Sequence, residues 1–208
     1  MSKTRFTKPM YPTVYFSENI LGKCPKCEGP CFVKTKLSKY TLPFPSDYSS
    51  SLHCQQCGFT KNKDEKWFGY CQGLLKIHCG FCGNKLLYST KPTKKPYKKL
   101  SVKCPKCNVE KCYPLTWYRY KGNKPTDPYF GLELWLQVPV KDHILWVYND
   151  AHLKYLKEYV SSDLREDDAR HKYSLVSNLP QWIKSAKNKN LILKKLDILE
   201  EKLIKAGY

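Results

Sequence analysis

Cys24-Pro-Lys-Cys27 and Cys54-Gln-Gln-Cys57, followed by Cys79-Gly-Phe-Cys82 and Cys104-Pro-Lys-Cys107, decide the fold of this 208-residue chain. The gaps between partners are 26 and 21 residues, each long enough for a strand, a turn and a return strand. Two cysteines separated by two residues wrap one metal ion through a tight turn, whose backbone N–H groups point at the sulfurs. Four such thiolates fill a tetrahedral shell. The spacing therefore predicts two closed structural zinc sites, with Cys24, Cys27, Cys54 and Cys57 on one ion and Cys79, Cys82, Cys104 and Cys107 on the other. The residue after the second cysteine favours positive φ, hence Gly or Asn. Gly58, Gly83 and Asn108 suit that position, whereas Glu28 follows Cys27 and Gly29 comes one residue later.

Other uses of the cysteines fit less well. Disulfides belong to secreted chains, and the stretch Met1–Pro9 lacks the apolar core of a secretory signal. A redox pair needs one Cys-x-x-Cys in a β-α pattern rather than four in series. Iron also accepts four thiolates, but an electron-transfer role suits two lysine-rich modules poorly. Cys31, Cys71 and Cys112 are left over, either as small buried apolar residues or as substitutes for a tetrad member. His53 and His78 each precede a ligand cysteine and are expected to point away from the metal.

Charge is unevenly distributed. Residues 1–138 carry 24 Lys+Arg against 8 Asp+Glu, and residues 139–208 carry 13 against 10, together the +19 of the chain. Lysine dominates over arginine, which suits sequence-blind phosphate contact. The densest run is Lys91-Pro-Thr-Lys-Lys-Pro-Tyr-Lys-Lys-Leu-Ser-Val-Lys103, with Pro92 and Pro96 keeping it out of helix. Lys91, Lys94, Lys95, Lys98, Lys99 and Lys103 with Tyr97 form a candidate nucleic-acid surface, matched in the first tetrad by Lys34, Lys36 and Lys39. Leu115–Tyr120 reads as a further strand, its aromatics either core or a stacking platform with Arg119. The expected partner is DNA or RNA, bound with little sequence preference.

Beyond the turn-rich stretch Lys121–Pro128 the pattern changes. Leu132, Leu134, Leu136 and Val138 alternate with polar or amphipathic residues, predicting a strand. A turn over Pro139–His143 and a strand Ile144–Tyr148 complete a hairpin. Asn149 or Asp150 caps a predicted helix running to about Asp168, with Leu153, Leu156, Val160 and Leu164 on its apolar stripe. Pro180 opens a short helix, Gln181–Lys187. Asn190 caps a last one, with Ile192, Leu196, Leu199 and Leu203 on one face and Gly207 as its stop. The fold class is thus α+β. It comprises an N-terminal arm (1–20), two tandem ribbons (21–66 and 67–120), and a hairpin with about three helices (129–208).

The tetrads resemble the broad zinc-ribbon group found in transcription factors, polymerase subunits and ribosomal proteins, with rubredoxin-like knuckles at Cys24-Pro25 and Cys104-Pro105. That resemblance covers residues 21–120 and implies eight cysteine ligands for two zinc ions. Leu134-Trp-Leu-Gln137, Leu145-Trp-Val-Tyr-Asn149, His152-Leu153, Tyr159-Val160 and Leu179-Pro-Gln-Trp182 resemble the tail of uncharacterised bacterial zinc-ribbon proteins, which implies no activity. No catalytic constellation emerges. Closed tetrathiolates offer no open position; His143, His152 and His171 lack partners at a productive spacing; and Glu166-Asp167-Asp168 reads as a solvated charge run. The functional expectation is a cytoplasmic, non-catalytic nucleic-acid-binding protein; a protein–protein adapter, with a partner docking on the hairpin and helices, is the alternative. No stretch approaches the roughly 18 apolar residues that cross a bilayer.

Overall fold

The computed structural model describes residues 4–38, 47–62, 69–120, 122, 124–165 and 173–207. The chain is α+β, with eleven strands in small antiparallel sheets and three α-helices among the described residues. It divides into two compact units: Met1–Trp67 together with Pro125–Tyr208, and Phe68–Lys124. The first unit is discontinuous in sequence, and the second is inserted into it.

In the first unit β1 (Asn19–Lys23), β2 (Pro30–Leu37), β3 (Tyr48–His53) and β4 (Thr60–Asn62) pair in sequential order. Burial alternates along β2: Cys31, Val33 and Thr35 face inward, while Lys34 and Lys36 face out. In the second unit β5 (Cys71–His78) is the central strand between β6 (Lys85–Ser89) and β9 (Thr116–Arg119). β7 (Lys99–Lys103) and β8 (Glu110–Pro114) form a separate hairpin. The core here is small: Leu75, Leu86, Val102 and Tyr113 surround the buried Cys79 and Cys104.

The chain then returns to the first unit. The Asp127 carboxylate, fully buried, accepts N–H bonds from Tyr129 (2.9 Å), Phe130 (2.7 Å) and Leu132, closing a loop in which Gly131 takes φ 75°. β10 (Gln137–Val140) and β11 (His143–Trp146) form a hairpin around a two-residue turn, Lys141-Asp142, with Lys141 at φ 52°. The strand predicted from Leu132 therefore starts five residues later, and Pro139 lies within it rather than in the turn. The alternation at Leu132–Leu136 is present, with Leu132, Leu134 and Leu136 buried. Its backbone pairs elsewhere, however: Trp135 N–H donates to Leu21 O (2.9 Å) and Lys23 N–H to Glu133 O (2.8 Å). Gly22 permits this approach, since a Cβ there would meet Leu132 Cβ at 3.3 Å. The first ribbon is thereby stitched to the hairpin, and Leu21 N–H also reaches Tyr148 O (2.9 Å).

α1 (Asp150–Ser161) starts where its cap dictates: Asn149 Oδ1 accepts from His152 N–H at 2.9 Å, while Asn149 Nδ2 donates to Phe16 O and Asn19 O. The helix ends seven residues before the predicted Asp168. Leu164 instead pairs with the N-terminal segment, its N–H donating to Thr4 O and its carbonyl accepting from Phe6 N–H, both at 3.0 Å. The Arg165 guanidinium meanwhile donates to the carbonyls of Val160 and Ser162 at the helix end. α2 (Gln181–Lys184) is one turn, and α3 (Lys189–Lys205) begins one residue before the predicted Asn190 cap. Gly207, at φ 79°, terminates it as predicted.

The segment expected to be an arm is part of this core. Phe6 packs edge-on against Tyr155 and Tyr159, each at 5.3 Å, and Phe16 stacks on His152 at 4.9 Å. Leu134, Leu136, Leu145, Leu153, Leu156, Ile192 and Leu196 are essentially inaccessible. Each contributes about 1.5–3 kcal/mol by leaving water.

Candidate metal centres and basic surface

All four turns share one backbone geometry. The N–H after the second cysteine returns to the first cysteine's carbonyl at 2.9 Å: Glu28 to Cys24, Gly58 to Cys54, Gly83 to Cys79 and Asn108 to Cys104. Those four residues lie at φ 61°, 68°, 69° and 60°. Glu28 therefore adopts the left-handed conformation itself, and Gly29 has a different role. A side chain at Gly29 would collide with Gln56 Oε1, 1.8 Å from its Cβ.

The turns bring the sulfurs together in two groups of four, Cys24, Cys27, Cys54 and Cys57, and Cys79, Cys82, Cys104 and Cys107, with all ligand atoms of a group within 4.8 Å of one another. Sulfur separations are 3.7 Å for Cys24–Cys57, 3.6 Å for Cys27–Cys54, 3.7 Å for Cys79–Cys107 and 3.6 Å for Cys82–Cys104. A tetrahedron with metal–sulfur bonds of about 2.3 Å has edges of about 3.8 Å, so each group fits one tetrahedral ion. Both groups are consistent with zinc-ribbon knuckles.

The sulfurs differ in proton affinity, for readable reasons. N–H groups of Cys82 and Phe81 hold the Cys79 thiol down to about 6. At Cys24 burial works upward, but N–H groups of Cys27 and Lys26 bring it to about 7. At Cys27 and Cys107 one N–H (Gly29, Val109) works downward, but burial and the neighbouring sulfurs push the thiols up to about 12. Without a cation, four thiolates this close repel one another; a central dication removes that repulsion.

The remaining cysteines belong to neither group. Cys31 is wholly buried, and burial drives its thiol far above its ordinary range. Cys71 is buried and donates to Thr93 O at 3.1 Å. Cys112 is exposed on β8, contrary to the buried-apolar reading. His53 and His78 are exposed and outside both groups. His152 is buried against Phe16, its Nδ1 accepts from Tyr148 N–H (3.2 Å), and burial pushes it down to about 3. His143 stacks on Trp182 at 4.9 Å. His171 and Glu166-Asp167-Asp168 lie outside the described residues, as does Lys39.

The second unit holds most of the predicted basic surface. Lys91, Lys94, Lys95, Lys98, Lys99 and Lys103 are exposed there, and Lys34 and Lys36 are exposed on the first ribbon. The lysine-rich run is only partly a loop, because Lys99–Lys103 is β7. Its first half is stapled to the sheet: Cys71 and Thr93 exchange backbone bonds of 2.8 and 2.9 Å, and Thr90 N–H donates to Gly73 O at 2.9 Å. Lys94 Nζ sits 5.5 Å from the Tyr70 ring centre. Tyr97 packs edge-on to Trp117 at 5.0 Å, and its carbonyl accepts from Trp117 Nε1. Of the strand Leu115–Tyr120, Trp117 and Arg119 are half-buried, whereas Thr116 and Tyr118 face out. Ten of the fifteen large apolar side chains that stay exposed among the described residues lie in this unit, and none lies on the first ribbon's strands.

Comparison with family models, with curated proteins and with solved structures finds no match for the chain. No helix among the described residues is long and apolar enough to cross a membrane.

Proposed function

We propose that the chain is a non-catalytic protein with two structural zinc ions that binds nucleic acid through backbone phosphates, chiefly with its second ribbon. One observation carries this reading. Phe68–Lys124 contains thirteen Lys and Arg and a single acid, Glu110, so at most one of its cations can be neutralised within the unit. Glu110 is itself engaged, accepting from Ser101 Oγ at 2.6 Å. The rest of the chain is nearly balanced for its size, with 24 basic and 17 acidic residues. Four thiolates around one dication leave a charge of −2, so the loaded second unit keeps about +10. Zinc is the ion that four soft thiolates at tetrahedral separations favour, and a reducing compartment such as the cytoplasm keeps those thiolates available. With every coordination position taken by sulfur, neither site activates water.

Titration of the zinc-loaded chain against duplex and single-stranded oligonucleotides at about 50 and 200 mM salt tests the proposal. Affinity falls steeply with salt. Replacing Lys94, Lys95, Lys98 and Lys99 with Glu weakens binding to all sequences alike and flattens the salt slope by up to about one unit per contacting lysine. Equal binding by the four-lysine variant sinks the reading. The exposed apolar side chains of the same unit favour a second reading, a protein–protein adapter. Capture of a protein partner that persists after nuclease treatment, with no oligonucleotide binding, selects it.

A further inference from the structure

We propose that the outward face of the β6-β5-β9 sheet is a base-stacking platform for single-stranded nucleic acid, with Tyr118 as its principal ring. This rests on the phosphate-binding reading of the second unit and names the form of nucleic acid it takes. Directly paired residues share a face of an antiparallel sheet. The register pairs Gln72 with Tyr118, Leu74 with both Thr116 and Ser89, and Lys76 with Leu87. Tyr118, Leu74 and Leu87 therefore run diagonally across all three strands on one face. They are 54%, 39% and 68% exposed. The two diagonal steps, about 7–8 Å each, give room for about two or three bases. Lys76 lies on the same face, and Lys85 opposite His78 extends it.

The other ribbon shows that such a stripe is not a necessity of the fold. On the corresponding face Lys34 pairs with Asn19 and Ser51, and Lys36 with Ser49, while its apolar pair, Leu21 and Phe32, is buried and half-buried rather than exposed. Charge selects the occupant of the apolar stripe: a unit with thirteen cations and one acid suits a polyanion, and a single strand presents phosphates and unstacked bases together. A duplex keeps its bases stacked inside, beyond the reach of a flat sheet. Trp117 and Tyr97 are packed on each other, and the exposed rings of Tyr70, Phe81, Tyr88 and Tyr120 lie off this diagonal. Among the described residues the Tyr118 ring packs on no other aromatic ring.

The test uses the full zinc-loaded chain and one labelled oligonucleotide of about 20 nucleotides, as a single strand and as a duplex. Tyr118→Ala weakens single-strand binding about tenfold and duplex binding less than about twofold. Its salt slope stays that of the parent, Tyr118→Phe retains binding, and metal content remains at two ions in every variant. Equal losses on both forms, or no loss on either, overturn the platform. If the four-lysine variant still weakens both forms in that case, phosphate binding stands without it. Parent protein that binds neither form overturns the underlying reading as well.

Discussion

The two ribbons share their knuckles almost atom for atom and differ in everything around them. Sulfur separations agree within 0.1 Å, and the same backbone return closes both turns of each. Yet β1 of the first ribbon lies against Leu132–Trp135, and Leu21 is 1% exposed in a core continued by α1 and α3. The second ribbon closes on itself around four apolar side chains and its own cysteines. It leaves a sheet face open and carries the positive charge. A tetrathiolate site thus fixes two turns and little else. Whether the sheet becomes scaffold or binding surface is decided by which neighbours the rest of the chain supplies.

The contrast is most exposed to metal loss. Cys104→Ser removes one ion and collapses amide-exchange protection throughout 71–119, because structural zinc supplies roughly 10 kcal/mol or more of folding free energy and the core beneath is small. Cys54→Ser also removes one ion, but α1 and α3 stay protected. Helices that melt in Cys54→Ser as completely as the second sheet does in Cys104→Ser would erase the distinction. A smaller effect confined to the first unit is expected for Phe6→Ala. Loss of its two edge-on ring contacts costs about 3 kcal/mol in chemical denaturation, with zinc retained in the second unit.

Acid separates the units further. His152 titrates near 3 when folded, against about 6.5 when unfolded, so between these values the unfolded chain binds the extra proton. Its contribution is complete above about pH 6.5 and is lost as pH falls, at a limiting slope of about 1.4 kcal/mol per pH unit. His152→Gln flattens that slope relative to the parent by about one proton, measured by denaturation at several pH values; an unchanged slope contradicts the assignment. The smallest expected effect is at the odd knuckle. Glu28→Gly relieves a left-handed non-glycine residue and stabilises the first ribbon by about 1 kcal/mol, whereas Gly29→Ala is nearly neutral, because its Cβ meets only the end of the flexible, exposed Gln56 side chain, which swings away.

The parts legible in sequence are those set by neighbours within a turn or two. The two groups of four cysteines, the positive φ at Gly58, Gly83 and Asn108, the Asn149 cap and the Gly207 stop all follow from local chemistry. The α+β architecture follows from the change of period after Pro128. What escaped reading depends on distant partners. No glycine or proline marks the end of α1 near Ser161; the chain leaves the helix where Leu164 pairs with Thr4 and Phe6 and Arg165 turns back onto the last carbonyls. Leu132–Leu136 alternates as a hairpin strand should, but its amides are claimed elsewhere: Leu132 by Asp127, Leu134 by Pro125 O and Trp135 by Leu21 O. Trp117 and Tyr118 are neighbours in sequence, and only the pairing of β9 with β5 assigns one inward and the other outward. Charge counted up to residue 138 blended the second ribbon with segments of the balanced unit, concealing how sharply the lysines concentrate.

The discontinuity of the first unit has a consequence for the order of events at the ribosome. Tyr11 O accepts from Leu175 N–H, and Lys157 on α1 pairs with Asp197 and Glu200 on α3. Residues on the N-terminal side of the insertion must therefore wait until the segment beyond it has emerged before these contacts exist. The inserted unit carries its own cysteine group and apolar cluster, so it matures first, while Leu21 still lacks the Leu132–Trp135 segment that covers it. Chaperone capture of nascent chains should accordingly centre on Ile20, Leu21 and Val33, and end when α3 clears the exit tunnel.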